Sequence, residues 1–421
     1  MLLGKRAAVV LAAAVVSWGT SIWAADPPAP RPAERTPTPA RAVTATPRRP
    51  LMELLDQAGV AKTLDDWHIT VGGHAEASWT YNFNDPDSDL NPGRAFDFEH
   101  NDLTFNQLSL FVERKVDPSK KDFDIGGKVE AIYGADAGLI HANGLTDWYD
   151  SPRDPNNQLD LTQLYVDFAV PVGNGLLVRV GKFITLLNQE VIDPEGNSLF
   201  SHSFLFTFSA PFTHTGIIAS YNLTDDWAIM AGITRGWDQA FEDNNSAIDF
   251  LGQVKYAASK DTTAILNISV GPQRTNNNDD YRWLLDLVVS HTVSDQLAIA
   301  VNADFGWEDD ASVNSSGIPT GDTAYWWGIA GYAGYKINDN FAVNGRLEWF
   351  HDDDGARTGL NGLNLYEVTV GLNVKPLPKD KWGQYLQIRP ELRWDLSGDD
   401  VFDDFTDDNQ LTFGVDVLYA Y

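Results

Sequence analysis

The chain has 421 residues, 59 of them acidic against 30 basic, for a formal net charge of −29; this balance excludes nucleic acid as the natural partner. It has no cysteine, so neither a disulfide framework nor a thiolate metal site is available.

Lys5 and Arg6 precede an apolar run from Ala7 to Val16, and Ile22-Trp23-Ala24 follows, the layout of a cleaved secretory signal over residues 1–24. That run is short for a membrane span, and no later stretch approaches the roughly 18 consecutive apolar residues of a spanning helix. A mature chain that sits in a membrane must then do so as a barrel. Residues 25–50 hold eight prolines and no apolar pattern, which predicts an extended, disordered linker in the periplasm. Residues 51–66 open on Leu51-Met52-Glu53-Leu54-Leu55 and reach Gly59, a short amphipathic helix with a glycine stop. Whether it plugs a barrel mouth, packs on the rim or does neither stays open at this level.

From residue 67 the pattern changes period. Residues 67–83 alternate throughout, with Ile69, Val71, Ala75, Ala77, Trp79, Tyr81 and Phe83 on one face and His68, Thr70, His74, Glu76, Ser78, Thr80 and Asn82 on the other. This run is far longer than the roughly 5–6 residues of an ordinary globular strand. Further alternating segments follow to residue 421, joined by seven short turns (near 116–122, 171–175, 223–227, 258–262, 292–296, 337–341 and 375–383). Strictly interleaved with them are eight longer acidic loops (84–102, 134–158, 184–213, 239–246, 272–280, 308–322, 352–361 and 397–409). Seven turns and eight loops join sixteen strands with both ends on the short-turn side, so residues 67–421 are expected to form an all-β, transmembrane antiparallel β-barrel. Trp and Tyr fall near both strand ends, as interfacial girdles require. The last segment places Leu411, Phe413, Val415, Val417, Tyr419 and Tyr421 on one face, and its terminal aromatic resembles the signal read by the barrel-assembly machinery.

Within residues 178–238, three features stand together: Gly181-Lys182-Phe183, the Ser and Phe run from Ser201 to Ser209, and Pro211-Phe212-Thr213-His214-Thr215-Gly216 entering the next strand. This passage resembles the OmpL-like β-barrel porins. The resemblance implies a diffusion channel of the Gram-negative outer membrane, and likeness to other sixteen-strand porins makes a homotrimer one of the assemblies to consider.

A barrel of this size is wide enough for an aqueous channel. Alternation sends His74, Glu76, Lys128, Glu130, Asp167, Arg179, Arg346, Glu348, Arg389, Glu391 and Arg393 to the lumen. There Arg179, Arg346, Arg389 and Arg393 either form a basic ladder facing carboxylates across an eyelet or pair with neighbours and brace the wall. The loop 184–213 is the longest and apolar; Phe204, Phe206, Phe208 and His214 are the candidates to narrow the pore if it folds inward, the alternative being packing on the rim or on a neighbouring subunit. Acidic loops, densest at Asp403, Asp404, Asp407 and Asp408, form a solvated anionic collar or hold Ca²⁺ or Mg²⁺ that bridges to lipopolysaccharide. A negative mouth favours cations either way. No nucleophile elbow, zinc-protease or phosphate-loop motif occurs, and His202-Ser203 and His214-Thr215 are adjacent pairs that point to opposite faces, so catalysis is not expected. The expected function is diffusion of small hydrophilic solutes or ions through an outer-membrane porin that favours cations and needs no cofactor. The competing reading is a non-conducting structural or adhesive barrel with acidic surface loops.

Overall fold

A computed structural model describes residues 48–147 and 156–421. The expected signal, residues 1–24, and residues 25–47 of the expected linker lie outside the described residues. Among the described residues no helix is long and apolar enough to cross a membrane; the architecture is a closed antiparallel ring. Its strands in chain order are β1 (Ile69–Gly72), β2 (His74–Asn82), β3 (Leu103–Arg114), β4 (Asp124–Gly134), β5 (Gln158–Val170), β6 (Leu176–Ile184), β7 (Thr213–Asn222), β8 (Trp227–Thr234) and β9 (Asp249–Ser259). The second half comprises β10 (Thr262–Pro272), β11 (Tyr281–Thr292), β12 (Leu297–Glu308), β13 (Ala324–Lys336), β14 (Phe341–Asp354), β15 (Asn361–Val374), β16 (Leu386–Ser397) and β17 (Asn409–Ala420). Each strand from β2 to β17 pairs with its sequence neighbour, and β17 pairs with β2 from Ala420↔His74 to Thr412↔Asn82. Closure therefore leaves no free edge, the condition that hydrocarbon imposes on a sheet. Every expected turn and every expected loop falls between the strands where the sequence placed it.

The long first strand is not continuous. It breaks at Gly73, whose N–H and C=O bond the C=O and N–H of Tyr421 at 2.9 and 2.8 Å, while β1 stays paired to the far end of β3. The ring thus has sixteen members, with β1 a short extra strand on the turn side. The break is steric as well: a Cβ at Gly73 would stand 2.0 Å from the carbonyl oxygen of Ser109. Register also slips between β2 and β3 near Glu76/Ser78 and between β4 and β5 near Glu130/Ile132. At these bulges the consecutive pairs Asn106-Gln107 and Thr162-Gln163 are all buried, because one extra residue reverses the alternation.

The two faces of the ring are inverted relative to a soluble protein. On β14, Leu347 is 62% exposed while its neighbour Arg346 is 1% exposed; the apolar set faces outward on nearly every strand, with Leu103, Leu110, Val166, Ile233, Ile329, Val370 and Leu392 among them. Aromatic pairs mark both ends of this band. Trp283 stacks on Trp307 at 5.3 Å at the loop end, and Trp227 on Tyr256 at 4.3 Å at the turn end, as girdles at two membrane interfaces require.

Two helices precede the ring, α1 (Pro50–Gln57) and α2 (Ala61–Asp66). Helix α1 begins at Pro50, where the missing N–H costs nothing, and Gly59 follows it at φ 76°. It is tied to the turn-side mouth. Met52 is buried and its sulfur lies 3.4 Å from the N–H of Val71, Glu53 meets Lys381 at 2.7 Å, and the hydroxyl of Tyr385 donates to the carbonyl of Arg48 at 3.1 Å.

Replacing Gly73 by Val is expected to lower the heat-unfolding midpoint of the barrel by an amount corresponding to about 1–3 kcal/mol, the usual overpacking cost. Gly331→Ala, where a Cβ meets nothing within 4 Å, is expected to leave it in place. Equal midpoints for the two variants, read from heat-dependent gel migration, would refute the assigned role of Gly73 in closure.

Candidate functional site

The segment between β6 and β7, residues 185–212, leaves the wall and runs into the ring. Its phenylalanines make this favourable: Phe204 and Phe206 are fully buried, as are Leu205 and Phe212, and Phe208 nearly so. Leu205–Ser209 forms one π-helical turn. Phe204, Leu205 and Phe208 pack with Trp237, Leu251, Leu284, Trp326 and Phe350, the Phe208 ring lying 5.7 Å from that of Phe350. Phe206 and Phe212 join Phe96, Ile132, Ile140 and Ile192 in a second cluster. Phe96 comes from the loop between β2 and β3, which also turns inward: Arg94 of that loop bonds Asp395 at 2.9 and 2.6 Å and Thr412 at 2.9 Å.

An irregular segment in apolar surroundings strands its backbone N–H and C=O groups unless side chains satisfy them. Here the wall does so. Glu391 accepts the N–H groups of Phe200 and Ser201 at 2.9 and 3.0 Å, and Glu348 those of Phe204 and Leu205 at 2.6 and 2.7 Å. Asp286 and Asn302 accept from the N–H groups of Asn188 and Gln189. The carbonyls are met by cations and an indole. Arg346 donates to Ser201 at 2.7 Å, Arg389 to Pro194 and Asn197 at 2.9 Å each, Arg393 to His202, Arg357 to Phe208 at 2.6 Å and Trp326 to Ser209 at 3.3 Å.

Three of those cations are also paired with acids: Arg346 with Glu190 and Glu367 at 2.6 Å each, Arg389 with Glu76 at 2.9 Å and Asp416 at 2.7 Å, and Arg393 with Asp395 at 2.7 Å. The geometry therefore sets Arg346, Arg389 and Arg393 against the inward loop rather than in an open basic ladder. Arg179 stands apart from them, paired with Asp167 at 2.8 Å and stacked 3.6 Å over the Tyr165 ring. It borders a recess lined by Leu177, Phe183, Leu186, Ile218, Ser220 and Met230. Lys128 pairs with Glu130 at 2.8 Å, where Ser109 and Gln163 also donate.

His214 belongs to the first turns of β7, not to the loop itself. Its Nδ1 faces the carbonyl of Gly236 at 3.3 Å and its Nε2 the hydroxyl of Thr185 at 2.9 Å, so it clamps the two roots of the loop together. His202 lies inside the loop with its ring centroid 4.0 Å from that of Phe206; burial, only partly offset by the charge of Glu190, holds its pKa down to about 4. Asp403 and Asp408 accept from the nearby Thr406 and Asn409, whereas Asp404 and Asp407 accept from Ser88 and Asn84 of the loop between β2 and β3. Among the described residues, the ligand-bearing atoms that do converge, within 4.8 Å of one another, belong to His74, Asp193 and Glu195. Alternation placed His74 inward, but the two acids sit on an irregular loop without motif spacing. The inward Arg94 and Asp160 carry no sequence signal beyond their charge; Asp160 is buried 3.1 Å from Lys182, which the sequence marked as part of Gly181-Lys182-Phe183.

The family model for "Putative beta-barrel porin-2, OmpL-like" matches residues 68–421. The chain belongs to this porin family. No curated protein matches it in sequence. Solved structures share the porin fold at low identity. The outer membrane channel DcaP of Acinetobacter baumannii has a TM-score of 0.54 at 14% identity, with 84% of this chain and 97% of that chain covered. An anion-selective porin from Comamonas acidovorans has 0.56 at 11%, covering 84% and 99%. In vitro folded OmpT of Vibrio cholerae in its trimer form has 0.50 at 11%, covering 84% and 99%.

Two outcomes are expected. Glu348→Ala or Glu391→Ala leaves two buried N–H groups without acceptors and is expected to cost about 2–4 kcal/mol locally, raising amide hydrogen exchange across residues 199–209; unchanged exchange would contradict the anchoring. His202 is held neutral, so the unfolded loop binds a proton that the folded loop refuses, and loop stability is lost as pH falls from about 6.5 towards about 4. His202→Leu is expected to remove that part of the pH dependence of exchange, and retention of the full dependence would exclude His202 as its source.

Proposed function

We propose that the protein is an outer-membrane porin through which small hydrophilic solutes or ions diffuse, narrowed by residues 185–212 and favouring cations. The observation that carries this reading is the inward loop bonded to a charged inner wall within a sixteen-strand ring. In such a channel selectivity follows wall charge at the constriction. Around the loop, Glu76, Glu190, Glu348, Glu367, Glu391, Asp395 and Asp416 outnumber Arg94, Arg346, Arg357, Arg389 and Arg393, and the chain as a whole carries −29. The pore-lining set proposed from the sequence stands with this reading: Glu76, Lys128, Glu130, Asp167, Arg179, Arg346, Glu348, Arg389, Glu391 and Arg393. The apolar belt suits a lipid surface or a homotrimer interface, and the acidic outer loops suit divalent ions shared with lipopolysaccharide.

A second reading, a non-conducting barrel, is favoured by one specific feature. The apolar clusters of the loop extend across the ring to Leu251, Leu284, Trp326 and Phe350, and α1 stands at the opposite mouth. Planar-bilayer recording of the purified full chain separates the two readings. Stable conductance steps with a reversal potential showing potassium more permeant than chloride are expected. Steps favouring chloride would overturn the cation preference, and silence in full-length protein together with silence after removal of residues 51–66 would overturn the channel.

A further inference from the structure

Where the inward loop reaches the turn side of the ring, three metal-ligating side chains meet that the channel reading does not use. His74 is the first residue of β2 and is 2% exposed. Asp193 and Glu195 flank Pro194 in a short 3₁₀ turn whose position is fixed by Arg389 donating to the carbonyl of Pro194.

Which ring nitrogen of His74 is free follows from its surroundings. Gln107 donates its amide nitrogen to Asp136 at 2.8 Å and to the carbonyl of Ile192 at 3.0 Å, so its amide oxygen faces His74 Nε2, 3.0 Å away. Nε2 must carry the hydrogen, which leaves Nδ1 as the ring's acceptor in the neutral imidazole. Nδ1 points at Asp193 Oδ1 from 3.5 Å, beyond the usual 2.7–3.2 Å of an N–H···O bond. It matches the separation of two ligands of one ion, since tetrahedral bonds of roughly 2.0–2.2 Å put ligand atoms about 3.4 Å apart.

Each ligand also has the outer partner that metal sites require. Gln107 orients His74, the N–H of Glu195 bonds Asp193 Oδ1 at 2.9 Å, and Arg49 forks onto Glu195 at 2.9 and 3.2 Å. Carboxylate oxygens hold more than one lone pair, so Glu195 can keep Arg49 and still bind an ion. The side chains of Asp193 and Glu195 are 39% and 23% exposed, which leaves the site open to ions from solvent.

We propose that His74, Asp193 and Glu195 bind a divalent transition-metal ion of the zinc class, fastening the turn-side end of the inward loop to β2 and, through Arg49, to the segment that opens α1. One imidazole with two carboxylates and an open fourth position suits zinc rather than the all-oxygen cages of calcium or magnesium.

The test is calorimetric titration of ZnCl₂ into untagged, chelator-stripped full-length protein folded in detergent. One zinc ion per chain is expected, with magnesium failing to compete. His74→Ala and Asp193→Asn are each expected to weaken binding tenfold or more, whereas Asp403→Asn with Asp404→Asn is expected to change nothing. Gln107→Met keeps all three ligands and releases only the histidine, so it is expected to weaken binding about 10–100-fold and serves if His74→Ala does not fold. Absence of saturable zinc binding, or binding equal to wild type in both Gln107→Met and Asp193→Asn, would overturn the proposal.

Discussion

The structure depends on one constraint, that a backbone amide in apolar surroundings must find a partner. Across the lipid-facing band the constraint is met by closing β17 onto β2, so that each of the sixteen ring strands is paired on both sides. Inside the ring it recurs at residues 185–212, where no ladder is available. The wall answers with ions: Glu348 and Glu391 each take two successive N–H groups, and Arg346, Arg389 and Arg393 take carbonyls. The lumen charges are thus arranged by the demands of a folded loop as much as by those of a passing solute.

That arrangement explains why the cations and acids are interleaved. A buried guanidinium that met only carbonyl groups would keep an unbalanced charge, and its neighbouring carboxylates remove that cost. Glu76, Asp416, Glu367, Glu190 and Asp395 play this part. The acids that serve the fold of the loop are thus the same residues that face it from the wall.

Much of the ring was legible because period-two alternation depends only on which solvent each face meets. Leu347 beside Arg346, and Leu392 beside Arg393, announce lipid outside and polarity inside without reference to any partner strand. The break at Gly73 and the inward pairs Asn106-Gln107 and Thr162-Gln163 were not legible, since they arise from how a neighbouring strand is registered. The run of phenylalanines from Phe204 to Phe212 signalled a segment that avoids water but not which surface receives it. His214 was grouped with that segment because it directly adjoins it, although the loop was already expected to end at 213, beside the observed start of β7 at Thr213. The meeting of His74 with Asp193 and Glu195 is set by the path of an irregular loop, and the inward turn of Phe96 and Arg94 likewise.

The most direct test of the account asks whether the loop occupies the ring in the folded protein. The natural chain has no cysteine, so Leu205→Cys with Gly328→Cys places two thiols where the loop touches β13; a Cβ at Gly328 would lie 2.8 Å from the Leu205 side chain. A short bis-thiol reagent is predicted to join them in the folded barrel and not in the denatured chain. Separate modification of both thiols with no cross-link would contradict an inward loop held by the wall.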